Sequence, residues 1–200
     1  DLSIPIAKKL EKDFSNVKSI HNDIAIGVKY AIQKGLSLAK FDVILITPVD
    51  EIFPILEINK MLKKMIEENY DLIGGTRYRL GGKRLGGSLL GRMLSVLANY
   101  SFRLITNFPL SDSTTGIKMI KKSCLKKINL TFNSVGWSCA FEISIRAFLQ
   151  NFKIGEMPLK SVDRLFGGTS TFKVGSWIVE YLKLYLWGFF AIYKKKIKRS

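Results

Sequence analysis

The sequence predicts an α/β domain built around a mainly parallel central sheet, and three observations predict it. Helix-like and strand-like patterns alternate along the chain, the strand-like runs are continuously apolar as in strands covered on both faces, and no repeat or low-complexity linker divides the series. Composition agrees: 200 residues, 47% hydrophobic and 24% charged, describe one globular domain with a substantial core. Cys124 and Cys139 stand in no metal-ligand spacing and point to a reducing compartment rather than a disulfide scaffold. A start at Asp1 with no signal-like amino terminus is expected of a fragment or trimmed chain.

Each element follows from its local pattern. "AIGVKYAIQKGLSLAK" (25–40) has apolar residues at helical spacing and leads into "FDVILIT" (41–47), a buried strand. "PILEINKMLKKMIEEN" (54–69) is an amphipathic helix, and "YDLIGGTRY" (70–78) a short strand ending in the glycine-rich basic loop "RYRLGGKRLGG" (77–87). A helix over 88–106, a strand "TTGIKMI" (114–120), a helix "WSCAFEISIRAFLQ" (137–150) and a strand "FKIGEMPL" (152–159) complete the alternation. The Gly/Ser/Thr segment "VDRLFGGTSTF" (162–172) reads as a loop.

Charge is unevenly placed. Residues 1–70 hold ten Lys/Arg against ten Asp/Glu, whereas residues 71–200 hold 22 against six, so the net +16 lies wholly in the second part. Such asymmetry points to an anionic partner. Phosphates and an acidic membrane surface fit. Nucleic acid is disfavoured, because the basic residues are not interleaved with a recognisable DNA- or RNA-binding module.

The last segment differs in kind. Seven aromatics lie between Trp177 and Tyr193, and five Lys/Arg follow within six residues. Only ten uncharged residues run from Leu184 to Tyr193, against the ~20 a spanning helix needs. Two readings stand here: a helix lying at an anionic lipid interface, or a terminal helix docked on the core with a basic tail.

"ILITPVDEIFPI" (44–55) places Asp50 and Glu51 at the exit of a buried strand. A helix start explains them, since carboxylates favour helix N-termini and Pro54 suits a first turn. So does a site: open α/β sheets bind ligands at their carboxyl edge, and carboxylates there can hold a metal.

Six stretches, in this order, resemble a known family. "NDIAIGVKYAIQKGLSLAKFDVILI", "DLIGGTRY", "SVLAN", "SDSTTGIKM", "GWSCAFEISIRA" and "EMPLKSVDRLFGGTS" are similar to successive motifs of family 2 glycosyltransferases of the GT-A type, in the dolichyl-phosphate mannose synthase and polyprenyl-phosphate sugar transferase branch. The resemblance covers nearly all of residues 1–190. It implies a GT-A-like domain over 1–175, amino-terminally incomplete because the family's first strand would lie before Asp1, followed by the interfacial helix and basic tail over 176–200.

What the resemblance implies for function is transfer of a sugar from a nucleotide-diphosphate sugar donor to a polyprenyl phosphate or other lipid-phosphate or glycan acceptor. The family's Asp-x-Asp motif falls on Pro48-Val49-Asp50. Asp50 is then the ligand of a divalent cation, Mg²⁺ or Mn²⁺, with Glu51 able to add an oxygen because the family's glutamine ligand falls on Ile52. Arg77, Arg92, Ser95 and Arg164 lie in or beside the acceptor-phosphate motifs, and the lysine of the family's closing motif is replaced by Ser170. An ionised phosphate acceptor needs positioning but no base. A hydroxyl acceptor needs one, and Asp112 or Glu142 is the candidate, although an Asx turn and a helix-dipole contact explain them as well. His21, far from every motif, receives no role. The expected location is peripheral, on the cytoplasmic face of a membrane. The alternative is a weakened or non-catalytic member serving as a lipid- or partner-binding module.

Overall fold

The computed structural model describes residues 2–23, 25–49, 51–52, 55–132, 135–163 and 174–198. An exposed helix α1 (Ser3–Asp13) is followed by α2 (Val28–Leu38) and strand β1 (Val43–Ile46). Then come β2 (Glu51–Ile52), α3 (Ile55–Glu67), β3 (Leu72–Thr76), β4 (Lys83–Leu85) and α4 (Leu89–Thr106). The remainder is β5 (Lys118–Lys121), α5 (Lys122–Lys127), α6 (Ser138–Leu149), β6 (Ile154–Pro158), β7 (Lys160–Asp163) and α7 (Val174–Ile197).

The central sheet has the order β1-β5-β3-β6. Strands β1, β3 and β6 run the same way, but β5 lies between β1 and β3 in reverse, so within this sheet the only parallel pair among the described strands is β3 with β6. The expectation of a mainly parallel sheet is corrected to a mixed one, for a physical reason. The chain between α4 and β5 is tied to the end of β3, where Thr76 Oγ1 and Ser111 Oγ lie 2.7 Å apart and Arg77 meets Asp112. A strand that leaves from the carboxyl end of β3 has to run back down beside it.

Alternation along the strands builds a core on each face. Leu72 and Ile120 face one way, with Phe102, Phe141, Ile145, Leu184 and Ile192. Ile73 and Met119 face the other, with Met61 and Met65 of α3 and Met157 and Leu159. All five residues of β3 are buried. Gly75 leaves room there for Leu159, whose Cδ2 would have to shift to admit a Cβ. The basic loop 77–87 is not loop throughout, because β4 joins a second sheet in the order β2-β7-β4. In it β4 runs parallel to β7, while β2 runs antiparallel to β7 with Glu51 opposite Asp163.

Helix α7 is docked on the core along one face and leaves the other face exposed. Its inner face belongs to the core: Leu184 and Ile192 are buried, and Tyr185 packs edge-on to Phe102 with ring centroids 5.2 Å apart. Gly188 permits this approach, since a Cβ would meet Ile145 Cδ1 at 2.6 Å. Lys195 is not a tail residue but donates to the carbonyls of Phe148 and Leu149, at 2.7 and 2.9 Å, and so caps the end of α6. The outer face leaves Leu182, Leu186, Phe190 and Tyr193 exposed. No helix among the described residues is long and apolar enough to cross a membrane.

Candidate active site

Four stretches converge on the carboxyl edge of the central sheet. β1, β3 and β6 all end there, delivering residues 47–49, 77–82 and 159–163, and β5 begins there after the segment 111–117. This is the edge at which open α/β sheets place ligands.

Arg77 follows the last residue of β3, and its guanidinium turns onto Asp112. Nε lies 2.6 Å from Asp112 Oδ2 and Nη2 donates to Oδ1 at 2.9 Å, a two-pronged pair completed by the Arg77 backbone N–H at 3.2 Å from Oδ2. Asp112 is 1% exposed. Thr114 Oγ1 donates to Asp112 Oδ1 at 3.2 Å and lies 3.1 Å from Ser95 Oγ, which accepts from Tyr78 Oη at 2.8 Å. Asn99, one helical turn beyond Ser95, donates to Thr114 Oγ1 at 3.0 Å and to the Ser95 carbonyl at 2.8 Å, while its Oδ1 accepts from Ser113 N–H at 2.7 Å.

The segment 111–115 is gripped from every side. Glu156 of β6 accepts from Ser111 N and Oγ at 2.7 and 2.8 Å through Oε1. Its Oε2 is buried 2.9 Å from Arg79 Nε, an ion pair whose angle makes no hydrogen bond. Lys118 Nζ donates to the Ser113 carbonyl at 3.2 Å, as does Ser144 Oγ at 3.3 Å. Lys118 is fully buried, and burial first, with Arg77 adding to it, pushes its ammonium down to about 8 against the opposing pull of Asp112, Cys139 and Glu156. Burial also pushes the Cys139 thiol up to about 12. That makes it an inert core group.

Of the residues singled out from sequence, the structure brings Arg77, Ser95 and Asp112 into one network. Arg92 lies on α4 three residues before Ser95, at the rim of an open groove of about 350 Å³ lined also by Leu89, Met93, Val96, Leu97 and Tyr100. Asp50 and Arg164 lie outside the described residues, as does the side chain of Glu51. Among the described residues no group of His, Cys, Asp or Glu is arranged to hold a metal. β1 ends at this edge shortly before Asp50 and Glu51 in the sequence, and β2 sets the Glu51 backbone opposite that of Asp163; carboxylates are the donor type a hard divalent cation selects.

Asp112 and Glu142, the two carboxylates considered as a base for a hydroxyl acceptor, are both held inside the protein. Asp112 is buried, with both oxygens held by N–H donors and a hydroxyl. Glu142 is fully buried elsewhere. Its Oε1 accepts from Thr131 N–H at 2.8 Å and Arg146 Nε at 2.7 Å, and Oε2 has no hydrogen-bond partner among the described residues. Arg146 in turn covers the ring of Trp187 at 4.8 Å, so this carboxylate ties α6 to the 131–132 turn and, through Arg146, to α7. Sequence reasoning missed Tyr78, Asn99, Thr114 and Lys118 as members of the network. Ser95 and Asn99 at i and i+4 on the inward face of an otherwise apolar helix, and a lysine inside "GIKMI", were the available signals.

Comparison with known proteins is consistent with this geometry. The model of the family described as Glycosyl transferase family 2 matches residues 1–129. The chain is 26% identical over 131 residues to polyprenol monophosphomannose synthase of Mycolicibacterium smegmatis (strain ATCC 700084 / mc(2)155), covering 60% of this chain and 49% of that protein. Its fold is similar to glucosyl-3-phosphoglycerate synthase of Mycobacterium tuberculosis, solved with Mg²⁺ and UDP, at TM-score 0.62 and 15% identity over 82% of this chain and 55% of that one. The same enzyme with Mn²⁺, UDP-glucose and phosphoglyceric acid also gives TM-score 0.62 at 15% identity, over 83% of this chain and 56% of that one. The chain thus spans about half the length of the relatives it matches.

Proposed function

The chain belongs to glycosyl transferase family 2, and from that premise we propose that it transfers a sugar from a nucleotide-diphosphate sugar to a polyprenyl phosphate or another membrane-proximal phosphate acceptor. The observation that carries the choice of acceptor is the Arg77–Asp112–Thr114–Ser95 network. It offers anchored cationic and hydroxyl groups beside the sheet edge, and both carboxylates considered as bases are engaged and buried. An ionised phosphate oxygen is already a nucleophile and asks only to be positioned. Asp50, with Glu51, would hold the divalent cation, which when bound supplies charge stabilisation to the departing diphosphate. Arg77, Ser95, Arg92 and Arg164 would orient phosphate groups. The name of the Mycolicibacterium relative supports a polyprenol-linked product, and the UDP, Mg²⁺ and Mn²⁺ complexes of the structural neighbours support the donor class and the cation. Calorimetric titration with nucleotide-diphosphate sugars tests the donor half: saturable binding that requires Mn²⁺ or Mg²⁺ is expected, and equal heats with and without the metal would remove it.

The acceptor reading also accounts for an unusual surface. Helices α4 and α7 pack side by side through Phe102, Ser101 and Tyr185, and both turn apolar residues outward, directly opposite their buried faces. On α4 these are Leu89, Met93, Leu97, Tyr100 and Leu104, each at least 62% exposed, a patch that calls for an apolar neighbour. Neither helix is acidic apart from Glu180, and Lys194, Lys196 and Lys198 end the second. We place this face on the anionic cytoplasmic surface of a membrane, which would set Arg92, at the rim of the same groove, at the lipid, and Ser95 on the inner side of α4 behind it. Sedimentation with vesicles should rise with anionic lipid content, fall with salt, and drop in Leu97→Glu, in Leu186→Glu and on removal of residues 194–199. Equal partitioning of all four chains would leave the surface without a membrane role.

A further inference from the structure

Arg77 and Asp112 form a two-pronged pair, and such a pair is electrically neutral. A neutral pair is a poor receiver for phosphate. Behind it, on β5, stands Lys118, with no exposed surface and, among the described residues, a single side-chain hydrogen bond, to the Ser113 carbonyl. A buried position that needed only packing would hold a methionine or leucine, since an ammonium taken out of water without a bonded carboxylate is costly. Here the cost is offset by what faces the ammonium: Asp112 from the 111–115 segment, Glu156 from β6 and Cys139 from α6, against Arg77 beyond the end of β3.

We infer that Lys118 is a positioning residue for phosphate recognition, a buried second cation that fixes the 111–115 segment through Ser113 and leaves the Arg77–Asp112–Lys118 trio with one net positive charge. The inference rests on the acceptor reading proposed above. Two effects follow from one side chain. The amine holds the Ser113 carbonyl, and Ser113 lies between Asp112 and Thr114, so the hydrogen bond fixes the carboxylate that aims Arg77. The charge is a separate effect. It is present near neutrality and leaves as the pH rises through about 8, while the neutral amine keeps its hydrogen bond. Cys139, pushed up to about 12, stays protonated across that range and cannot mimic the change.

The test is the KM for a short-chain polyprenyl phosphate between pH 7 and 9.5, with saturating donor and Mn²⁺. The second ionisation of a phosphate monoester, near 6, is complete before this window opens. In the wild-type chain KM should rise several-fold through an apparent pKa near 8, with kcat changing less. Lys118→Met should raise KM about tenfold at pH 7, roughly one lost charge contact, and flatten the profile, with a melting temperature no lower than that of the parent. Lys118→Arg, which keeps a cation that does not titrate, should retain the parental KM at pH 7 and lose the alkaline rise. A parental KM in Lys118→Met, or an alkaline rise that survives in both variants, overturns the role of Lys118 while leaving the acceptor reading intact. No saturable use or binding of the polyprenyl phosphate by the wild-type chain overturns both.

Discussion

Arg77→Ala is expected to lower stability by about 3–5 kcal/mol, the cost of leaving a buried charge without its partner. For a chain of this size that is a fall of roughly 6–20 °C in melting temperature. Asp112 is 1% exposed and loses the two guanidinium donors, those at 2.6 and 2.9 Å, while the backbone N–H of residue 77, at 3.2 Å, stays with it if the loop keeps its place. The loss is not confined to stability. The guanidinium is also the cation nearest the end of β3, so phosphate use should fall as well. The double variant Arg77→Met/Asp112→Leu separates the two effects, because replacing both partners of a buried pair with apolar groups removes the unpaired charge. It should recover most of the melting temperature and none of the phosphate affinity. A single variant as stable as the parent would mean that the pair is not buried in solution, and a double variant with parental affinity would remove Arg77 from acceptor binding.

The second large effect is expected at Asp50. Asp50→Asn should reduce Mn²⁺-dependent donor affinity by roughly 100-fold or more, since a neutral amide oxygen replaces the charged oxygen that a hard cation selects. Melting temperature should stay within about 1 °C, because Asp to Asn keeps the size and shape of the side chain. Glu51→Gln should have the smaller effect. Pro48 falls where the resemblance puts the family's first aspartate, which leaves Asp50 as the carboxylate that remains of the Asp-x-Asp motif. Unchanged metal-dependent binding in Asp50→Asn would sink the assignment.

The fold was legible where the signal is local. The apolar runs at 43–46, 72–76 and 154–158 became strands, and helices α2, α3, α4 and α6 fell within a few residues of their predicted spans, because burial periodicity is written into neighbouring residues. The reversed strand β5 was not legible, since its direction is set by bonds between residues 76–77 and 111–112, 35 positions apart in the sequence. For the same reason Asp112 was read as a base or a turn former and is a guanidinium partner. β4 was taken for loop because "KRL" is three residues long and gains its ladder only from β7. α7 shows the limit of composition: seven aromatics announced an interface, but only the packing divides Tyr185, Trp187 and Phe189 against the core from Phe190 and Tyr193 on the outside. Lys118 lay in plain view within an apolar strand, and its meaning depends on Ser113 and Asp112 standing above it.

The central claim is sugar transfer to a lipid-linked phosphate, and the most direct test is to follow a labelled sugar. The chain is incubated with a panel of labelled nucleotide-diphosphate sugars, a short-chain polyprenyl phosphate and Mn²⁺, and the label is then partitioned between water and butanol. The account predicts butanol-extractable label with at least one donor, lost on chelation of the metal and in Asp50→Asn. Saturable binding of polyprenyl phosphate with no transferred label and no metal-dependent donor binding would contradict it, and would leave a lipid-binding member of the family in place of an enzyme.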